Sequence, residues 1–387
     1  MKITVIGSTC STQKDAMLFA GHAAGVCYMP KDFSALLSES EEKTLARANG
    51  TLLSGHHSVY DHITYNLLIE DIPKILAIVL NNEGLYTTSE KSARYTKMKT
   101  DSVGTEYYTK WLSRFVELIE NKYGGRFRDY YRDPKKASKA IEKLAMENAR
   151  YLISVFTPTT MIYTISLRQL NYLLAFFDKY ISEANDDFGI RLANCMKEFG
   201  EAVPVDLKIP ALNANLKGRE ISLFRKISGE NNYFEEIYST HYLGSWAMFA
   251  QEQRHRTLHY QISFQDCFLD GRRMYYIPDV LVGNQELGEE WCSDLAKIDS
   301  TYPQAQLIKI YESGTYDKFL LKCYERMCGC AQLEIMKQTW RTLAYYHTSR
   351  PDLIPNDFMY GARCTFPHFK CDKPCIWGAH NVLTREI

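Results

Sequence analysis

The sequence carries no excess charge of either sign. Its 387 residues contain 46 Lys and Arg against 46 Asp and Glu, so the formal net charge at pH 7 is zero. A long nucleic-acid interface needs a basic face that neutralises many phosphates. The charge balance therefore argues against a nucleic-acid polymer as a partner, whereas a few local arginines suffice to hold the phosphate of a mononucleotide.

Long hydrophobic runs are also missing. No stretch reaches the roughly 20 apolar residues that span a bilayer, and Met1 to Ile6 is too short and too soon followed by polar residues for a signal peptide. The 11 cysteines are an odd number, which fits reduced thiols better than a disulfide framework. With 45% apolar and 24% charged residues, we expect a globular, cytoplasmic protein without membrane association.

One order of elements occurs twice along the chain. In the first half, an alternating strand at 63–70 leads into a helix at Lys74–Leu80, with Asp71 as the expected N-cap. In the second half, a strand at 234–242 leads into a helix at 246–253 that also begins after a polar cap. A polar loop and further helices follow in both halves, which indicates an internal repeat.

The segment 201–220, rich in Pro, Asn and Gly, is the best candidate for a linker. We therefore predict an α+β protein of two similar repeats, 1–207 and 208–387, each an antiparallel sheet packed with helices. Gly124-Gly125 is expected to end one helix, and the last long helix is expected to span about 316–346.

Three cationic or titratable side chains, Arg254-His255-Arg256, directly follow the short helix of the second half. Consecutive helical residues point about 100° apart, so these side chains cannot share one face, but they can surround a bulky anionic ligand. The alternative is structural, because Arg and His in the last turn of a helix stabilise its negative end by roughly 0.3–1 kcal/mol. The three residues alone do not decide between these interpretations.

With their surroundings, these residues resemble the Arg-His-Arg signature of the flavin-dependent thymidylate synthases. Gln251 stands three residues before Arg254, as it does in that family. Residues 326–335, Arg-Met-Cys-Gly-Cys-Ala-Gln-Leu-Glu-Ile, are similar to the family's Arg-x-Asp-x-His-Ala-Gln-Trp-Glu-Ile segment. The second half therefore resembles the family at two separate places.

The first half resembles the same family at other places. Residues 55–62 are similar to Gly-His-x-Thr/Ser-x-x-Glu-His, and residues 89–95 are similar to Asn-Glu-x-Ser-x-Arg-Tyr. Ala149-Arg150 and Arg168 match two further family segments.

Each half lacks what the other half retains. In the first half, Asn82-Glu83-Gly84 takes the place of Arg-His-Arg, and Phe177 takes the place of Arg326. The second half has no Ser-x-Arg-Tyr and has Asp317 at the position that matches Arg168. Family members are homotetramers of shorter chains whose active sites draw on several subunits. The resemblance therefore implies a tandem fusion with a composite site built from both repeats, and a homodimer of fused chains with a tetramer-like core.

The family methylates dUMP to dTMP with methylenetetrahydrofolate, NADPH and FAD, and this reaction implies a role for each matched residue. Arg326 is implied as the catalytic cation at the O2/N3 edge of uracil, where negative charge develops. Because arginine stays protonated, it stabilises that charge rather than acting as a base. The implied substrate-binding residues are Gln251, Arg254, Glu90, Ser92, Arg94 and Arg150. The implied FAD-binding residues are His56, Ser58, Arg168, Arg254, His255 and Arg256.

Ordinary structural interpretations exist for the same residues. Arg94 and Arg150 can be ion-pair partners, and Arg326 can pair with a glutamate of its own helix. The three histidines of residues 56–62 can be turn residues with one core histidine, and their spacing is not that of a standard zinc pair. A zinc site at these histidines is therefore not favoured.

The second half is also rich in cysteine. Cys328 and Cys330 replace an Asp and a flavin-contacting His of the family segment, which puts that flavin contact in doubt. Cys364, Cys371 and Cys375 lie in a tail whose Cys-x-x-x-Cys spacing is compatible with structural zinc. Scattered buried thiols and a redox pair are the alternatives.

Other functions fit the same sequence. An enzyme of this fold can methylate or hydroxymethylate another pyrimidine nucleotide, such as UMP or dCMP, because the choice of nucleotide depends on few contacts. A flavin-free, non-catalytic paralogue that assembles with an active partner is compatible with the lost motifs, but their complementary pattern argues against it. An unrelated α+β protein with chance matches is the remaining alternative.

Overall fold

The structure, a computed structural model, describes residues 1–29, 32–84, 86–92, 102–213, 221, 223–224, 237–253, 255, 258–264, 267–269, 271–367, 369, 371, 375–379 and 382–387. The chain forms two compact units. The first unit combines Met1–Lys91 with Pro158–Arg225, and the second combines Ser92–Thr157 with Lys226–Ile387. These units are defined by packing, whereas the predicted repeats 1–207 and 208–387 are defined by the order of motifs in the sequence. The predicted boundary at 207/208 therefore stays a prediction.

The strands in the described residues are β1 (Lys2–Ser8), β2 (Thr64–Pro73), β3 (Tyr86–Glu90), β4 (Pro158–Ser166), β5 (Ile237–Ser245), β6 (His259–Ser263), β7 (Phe268–Leu269), β8 (Arg272–Arg273) and β9 (Leu307–Thr315). The α-helices are α1 (Gln13–Tyr28), α2 (Phe33–Leu37), α3 (Glu41–Leu53), α4 (Lys74–Leu80), α5 (Ser102–Tyr131), α6 (Pro134–Ala149), α7 (Leu167–Glu183), α8 (Asp187–Ala202), α9 (Pro210–Asn213), α10 (Trp246–Glu252), α11 (Gln285–Lys297), α12 (Tyr316–Arg326) and α13 (Leu333–Ser349).

The first unit is built around a four-stranded antiparallel sheet in the order β1-β2-β4-β3. Alternation along β2 buries Tyr65, Leu67 and Ile69 on one face, as expected for a half-buried strand. The apolar helix α4 follows β2 directly and is buried from its second residue to its last, because a helix that is apolar all round has no face for solvent. Helix α7 follows β4, and helix α8 packs against α7.

The second unit is built around a three-stranded antiparallel sheet in the order β5-β9-β6, with β7 and β8 as a small hairpin. The short helix α10 follows β5 and is buried along its whole length. The Oγ atom of Ser245 accepts a hydrogen bond from the Met248 amide at 3.0 Å, which caps this helix as the sequence predicts. Helices α5 and α6 pack against each other in the same unit.

The two sheets share a topology. In each, a strand that runs into a buried seven-residue helix pairs with a nine-residue central strand, and the central strand runs directly into a longer helix. The last residue of the former strand faces the first residue of the central strand in both units, as Pro73↔Pro158 and as Ser245↔Leu307. The predicted α+β class with antiparallel sheets is confirmed. The shared register also supports the predicted repeat. It allows equivalent positions of the two units to be matched by counting residues from the start of each element.

Three local predictions from the sequence are wrong. Helix α5 continues through Gly124-Gly125, since its packing against α6 compensates for the low helix propensity of glycine. The predicted helix at 316–346 is two separate helices. Arg326 is therefore the last residue of α12 and does not lie in the middle of a long helix. Asp71 lies in β2 with φ of 55°, and Pro73 takes the N-cap position of α4.

The central strands β4 and β9 are among the elements that the sequence did not predict. Strand β4 ends at Ser166, and helix α7 begins at the next residue. Both strands alternate buried and less buried residues, and each is followed by a helix without an intervening loop. Within the described ranges, no helix is both long and apolar enough to cross a membrane.

Candidate functional site

A buried glutamine connects two of the predicted substrate-binding residues in the second unit. Gln332 precedes α13 and is 3% exposed. Its Oε1 atom accepts a hydrogen bond from Arg150 Nη2 at 2.6 Å and another from the side-chain amide of Gln251. Arg150 Nη2 also donates to the Ala247 carbonyl at 2.9 Å. The structure therefore brings Arg150 and Gln251 together, and Arg150 is not a surface ion-pair partner.

Arg326 is oriented by two hydrogen bonds at the end of α12. Its Nε atom donates to Nε2 of His255 at 2.6 Å, and its Nη2 atom donates to the Gln251 carbonyl at 3.0 Å. Gln251 thus contacts Arg326 through its main chain and Gln332 through its side chain. Four of the five described residues that the sequence assigned to this unit's site by motif form one connected network, namely Arg150, Gln251, His255 and Arg326.

The surroundings of His255 keep its imidazole neutral. Burial and the positive charges of Arg326 and Lys322 lower the pKa of His255 from 6.5 to about 2. A neutral imidazole has one nitrogen that accepts a hydrogen bond and one that donates. His255 is therefore suited to hold Arg326 and not to add a second positive charge.

A cluster of buried charges lies beside this network. Lys322 Nζ lies 2.5 Å from Glu252 Oε2 and 2.6 Å from Glu312 Oε2, and all three residues are at most 2% exposed. The hydroxyls of Tyr238 and Tyr242 donate to Glu312 at 2.7 and 2.6 Å. Burial would lower the pKa of Lys322, but the two carboxylates raise it above its ordinary value. Burial raises the pKa of Glu252 from 4.5 to about 7, despite the opposing effect of Lys322.

A further buried carboxylate, that of Glu334, ties helix α13 to the start of α10. Its Oε1 atom accepts from the Ser245 amide at 2.8 Å, and its Oε2 atom accepts from the Ser245 hydroxyl at 2.6 Å and the Tyr151 hydroxyl at 2.8 Å. Gln332 Nε2 donates to the same Tyr151 hydroxyl. These bonds position Gln332, because they hold both its own side chain and the side chain of Glu334 two residues further along the chain.

Sequence reasoning did not assign Glu252, Glu312, Lys322, Gln332 and Glu334 to the site. Gln332 and Glu334 stand in the Ala-Gln-Leu-Glu segment that carried the resemblance, so that signal was present. Glu312 occupies a buried position in the alternation of β9, where an apolar residue is ordinary. A carboxylate at such a position was the available signal for the charge cluster.

In the first unit, the predicted flavin-binding residues meet around the 3-10 helix His57–His62. His56 and Ser58 are exposed at its start. Arg168 Nη1 lies 2.5 Å from Asp61 Oδ2 of this 3-10 helix, and its guanidinium lies 5.1 Å from the centre of the Tyr172 ring. The structure therefore places Arg168 beside the segment that contains His56 and Ser58.

His57 is the core histidine of this segment. It is 6% exposed, its Nδ1 atom lies 3.0 Å from the Tyr172 hydroxyl, and its Nε2 atom lies 2.9 Å from the Leu52 carbonyl. Glu90 forms an ion pair with Lys74, at 2.6 and 2.7 Å, and its side chain is 2% exposed. Ser92 is half-buried and begins the second unit.

Arg94, Arg254 and Arg256 lie outside the described residues, so their predicted roles stay predictions. Cys328 and Cys330 lie in the turn between α12 and α13. Hydrogen bonding from the Cys330 thiol, which outweighs burial, lowers the pKa of Cys328 to about 5. In the part of the chain that the structure describes, no three His, Cys, Asp or Glu side chains are arranged to hold a metal ion.

Comparison with known proteins supports the resemblance. A family model described as "Thymidylate synthase complementing protein" matches residues 10–205, just over half of the 387 residues. A flavin-dependent thymidylate synthase of Clostridium tetani (strain Massachusetts / E88) is 27% identical over 161 residues, which are 38% of this chain and 64% of that protein. The chain thus spans slightly less than two thirds of the length of this relative.

Two solved structures also show similarity, at low scores. The Helicobacter pylori flavin-dependent thymidylate synthase ThyX, complexed with FAD and dUMP, is 16% identical, covers 54% of this chain and 100% of its own, and has a TM-score of 0.30. The UMP/dUMP methylase PolB of Streptomyces cacaoi, bound with 5-Br dUMP, is 19% identical, covers 45% and 76%, and has a TM-score of 0.29. The family match over residues 10–205 establishes ancestry, and the chain belongs to the thymidylate synthase complementing protein family, that of the flavin-dependent thymidylate synthases.

Proposed function

We propose that the protein methylates dUMP to dTMP in an FAD-dependent reaction, with methylenetetrahydrofolate as the one-carbon donor and NADPH as the reductant. Family membership supports the reaction class. The observation that carries the proposal is the fixed orientation of Arg326, which His255 and the Gln251 carbonyl hold by hydrogen bonds of 2.6 and 3.0 Å. A preorganised positive charge stabilises the negative charge that develops on the O2/N3 edge of uracil, at no reorganisation cost during the reaction.

The substrate side of the site is proposed to use Arg150 and Gln251, together with Arg254, Arg94, Ser92 and Glu90. Arg150 belongs to the first predicted repeat, whereas its partner Gln332 belongs to the second. Their hydrogen bond supports a composite site built from both repeats. The family match ends at residue 205, close to the predicted repeat boundary at 207, and supports that boundary as well.

FAD is proposed to contact His56, Ser58 and Arg168, together with His255, Arg254 and Arg256. Two exposed polar side chains beside a guanidinium form a donor set that fits the phosphates of a dinucleotide. When bound and reduced by NADPH, the flavin would supply the hydride that reduces the transferred carbon. This chain's own residues bind and orient the ligands, and two copies of the chain are proposed to assemble as a homodimer.

The visible absorption spectrum of the purified protein tests the proposal. FAD is added, unbound FAD is removed by gel filtration, and the spectrum is then recorded with and without dUMP. Flavin bands that survive gel filtration and shift with dUMP support the synthase. Flavin that binds but does not respond to dUMP contradicts dUMP as the substrate, and absence of flavin under all conditions contradicts an FAD enzyme.

Product analysis decides between nucleotides. Incubation with FAD, NADPH and methylenetetrahydrofolate is carried out separately with dUMP, UMP and dCMP. The expected product is dTMP from dUMP, and methylated or hydroxymethylated product from UMP or dCMP alone would replace the proposed substrate.

Arg94→Ala is expected to weaken dUMP binding, and unchanged affinity would remove the first repeat from the substrate site.

A further inference from the structure

The buried cluster of Glu252, Glu312 and Lys322 is unexpected in a protein core. These residues come from α10, β9 and α12 and are 0%, 1% and 2% exposed. Ion pairs in a core lose the hydration of both charges, and replacing them with apolar residues is often neutral or stabilising. A requirement other than packing therefore has to account for the cluster.

The first unit provides an internal comparison for this cluster. Counted from the starts of equivalent elements, Leu80 corresponds to Glu252, Tyr163 to Glu312 and Leu173 to Lys322. All three are fully buried, and the Tyr163 hydroxyl donates to the Leu80 carbonyl at 2.9 Å. The same sheet topology is thus built without a charge at any of these positions, so the topology does not require the charges.

The cluster lies next to the residues that hold Arg326. Lys322 precedes Arg326 by one turn of α12, so the two side chains share a helix face. Glu252 follows Gln251, whose carbonyl accepts a hydrogen bond from Arg326. The ion pair between Lys322 and Glu252 therefore joins the end of α10 to α12 one turn away from the bonds that orient Arg326.

The bond between Arg326 and His255 also defines the tautomer of the histidine. Arg326 Nε carries a hydrogen at all accessible pH values and only donates. Nε2 of His255, 2.6 Å away, must therefore accept, which leaves the ring hydrogen on Nδ1. A doubly protonated imidazole would place two N–H donors against each other. Burial and the positive charges of Arg326 and Lys322 also favour the neutral imidazole, since they lower the pKa of His255 to about 2.

We propose that Glu252, Glu312 and Lys322 are positioning residues that hold Arg326 against a neutral His255, protonated at Nδ1. The network stabilises one orientation of Arg326, and it makes His255 Nδ1 a fixed hydrogen-bond donor toward a carbonyl oxygen of a planar heterocycle. The ligand class rests on the proposed function, whereas the tautomer and the network do not. Addition of FAD alone and of dUMP alone separates the two sources of such a carbonyl.

The test exchanges the cluster for the residues of the first unit. The variant combines Glu252→Leu, Glu312→Tyr and Lys322→Leu. The readout is the ¹⁵N spectrum of the imidazole rings in ¹⁵N-histidine-labelled protein between pH 8 and pH 5, and the His255 signals are identified by their loss in His255→Gln. This readout needs neither ligand nor turnover, so it decides the proposal even if the protein binds neither FAD nor dUMP.

In the parent protein, His255 is expected to show the neutral, Nδ1-protonated tautomer throughout this pH range. In the triple variant, the thermal midpoint is expected to be equal or higher, while His255 titrates or exchanges between tautomers. Affinity for FAD or dUMP, whichever the parent binds, is expected to fall about tenfold or more. A charged or Nε2-protonated His255 in the parent would overturn the proposal, as would a triple variant with unchanged His255 signals.

Two single variants keep the test decisive if the triple variant does not fold. Glu252→Gln retains the shape of the side chain and is expected to shift the His255 signals partially, and unchanged signals would count against the network. Lys322→Arg retains the charge and is expected to preserve the parental signals, whereas loss of the neutral tautomer there would contradict the role of this charge. Lys110→Met is the matched control, because Lys110 pairs with the buried Asp294 of the same unit without contact to His255.

Discussion

The two units place different residues at the centre of the same sheet topology. In the first unit, the positions matched by counting hold Leu80, Tyr163, Leu173 and Phe177, which are all buried, and the Tyr163 hydroxyl donates to the Leu80 carbonyl. In the second unit, the corresponding positions hold Glu252, Lys322, Arg326 and Glu312. One topology therefore accepts both an apolar and a charged centre.

The difference separates what the fold needs from what the site needs. An apolar centre stabilises a unit by burial alone, at about 25 cal/mol per Å². A charged centre has to satisfy every charge with a partner, and it specifies the orientation of each group it contains. The unit with the charged centre is also the unit in which Arg150, Gln251, His255 and Arg326 are connected.

The largest expected effect comes from a single charge placed in the apolar centre. Leu173→Lys is expected to destabilise the first unit by about 3–5 kcal/mol, because the ammonium would be buried without a counter-ion. Urea unfolding, followed by hydrogen exchange in peptides of the first unit, measures this loss. The double variant Leu80→Glu/Leu173→Lys reproduces the pairing of the second unit and is expected to recover part of the loss. A cost below about 1 kcal/mol for Leu173→Lys would mean that this centre is not closely packed.

The next effect concerns catalysis in the second unit. Arg326→Ala is expected to reduce nucleotide methylation by about 10²–10³-fold or more, because the developing negative charge loses its fixed cation. Arg326→Phe, which copies Phe177 of the first unit, is expected to do the same. Steady-state turnover measures the effect, with circular dichroism as the check on folding.

The control for this prediction is Arg114→Ala. Arg114 forms an ion pair with Glu290 at the surface of the same unit, so its loss is expected to leave turnover unchanged. Turnover of Arg326→Ala near that of the parent would contradict the assignment of Arg326 as the catalytic cation.

A smaller effect on stability is expected to distinguish Arg150, which is buried, from Arg168, which is partly exposed. Arg150 is 5% exposed and donates to two acceptors, so Arg150→Met is expected to destabilise the second unit by about 2–3 kcal/mol. Arg168, whose side chain is 28% exposed in its pair with Asp61, is expected to contribute less than about 1 kcal/mol. Hydrogen exchange resolved by unit measures both variants. Equal losses in the free energy of unfolding for Arg150→Met and Arg168→Met would show that burial does not distinguish the two arginines. Arg168→Met is also expected to weaken FAD binding.

The smallest effect is a pH dependence of stability in the second unit. The raised pKa of Glu252, about 7, contributes stability that is present below 4.5 and lost as the pH rises through 7. The lowered pKa of His255, about 2, contributes stability that is present above 6.5 and lost as the pH falls. Between pH 4.5 and 6.5 the two contributions therefore have opposite slopes.

Glu252→Gln removes one of these slopes. Its stability relative to the parent is expected to fall on acidification from pH 6.5 to 4.5, by at most about 1.4 kcal/mol per pH unit. Urea unfolding of both proteins at half-unit pH steps measures the difference. Parallel pH profiles would contradict the raised pKa of Glu252, and a His255→Gln variant is expected to show the opposite slope.

Much of the local structure could be predicted from the sequence. The short helices at 74–80 and 246–253 follow from apolar runs behind a strand, and the Ser245 cap follows from its position. The central strands β4 and β9 could not be predicted, because each runs into a helix without a turn signal. The end of α12 at Arg326 was also missed, since its helical pattern continues into α13.

The sequence by itself determined the family and the α+β class, and its motifs predicted Arg150, Gln251, His255 and Arg326 as site residues, because motifs and periodicity are local properties of the chain. Only the tertiary structure decided that Gln332 joins Arg150 to Gln251, and that Arg326 bonds to His255. It also decided that Lys322 is paired twice in the core rather than solvated on a helix surface. The physical reason is that a hydrogen bond or ion pair depends on distances between residues far apart in sequence, which no local pattern records.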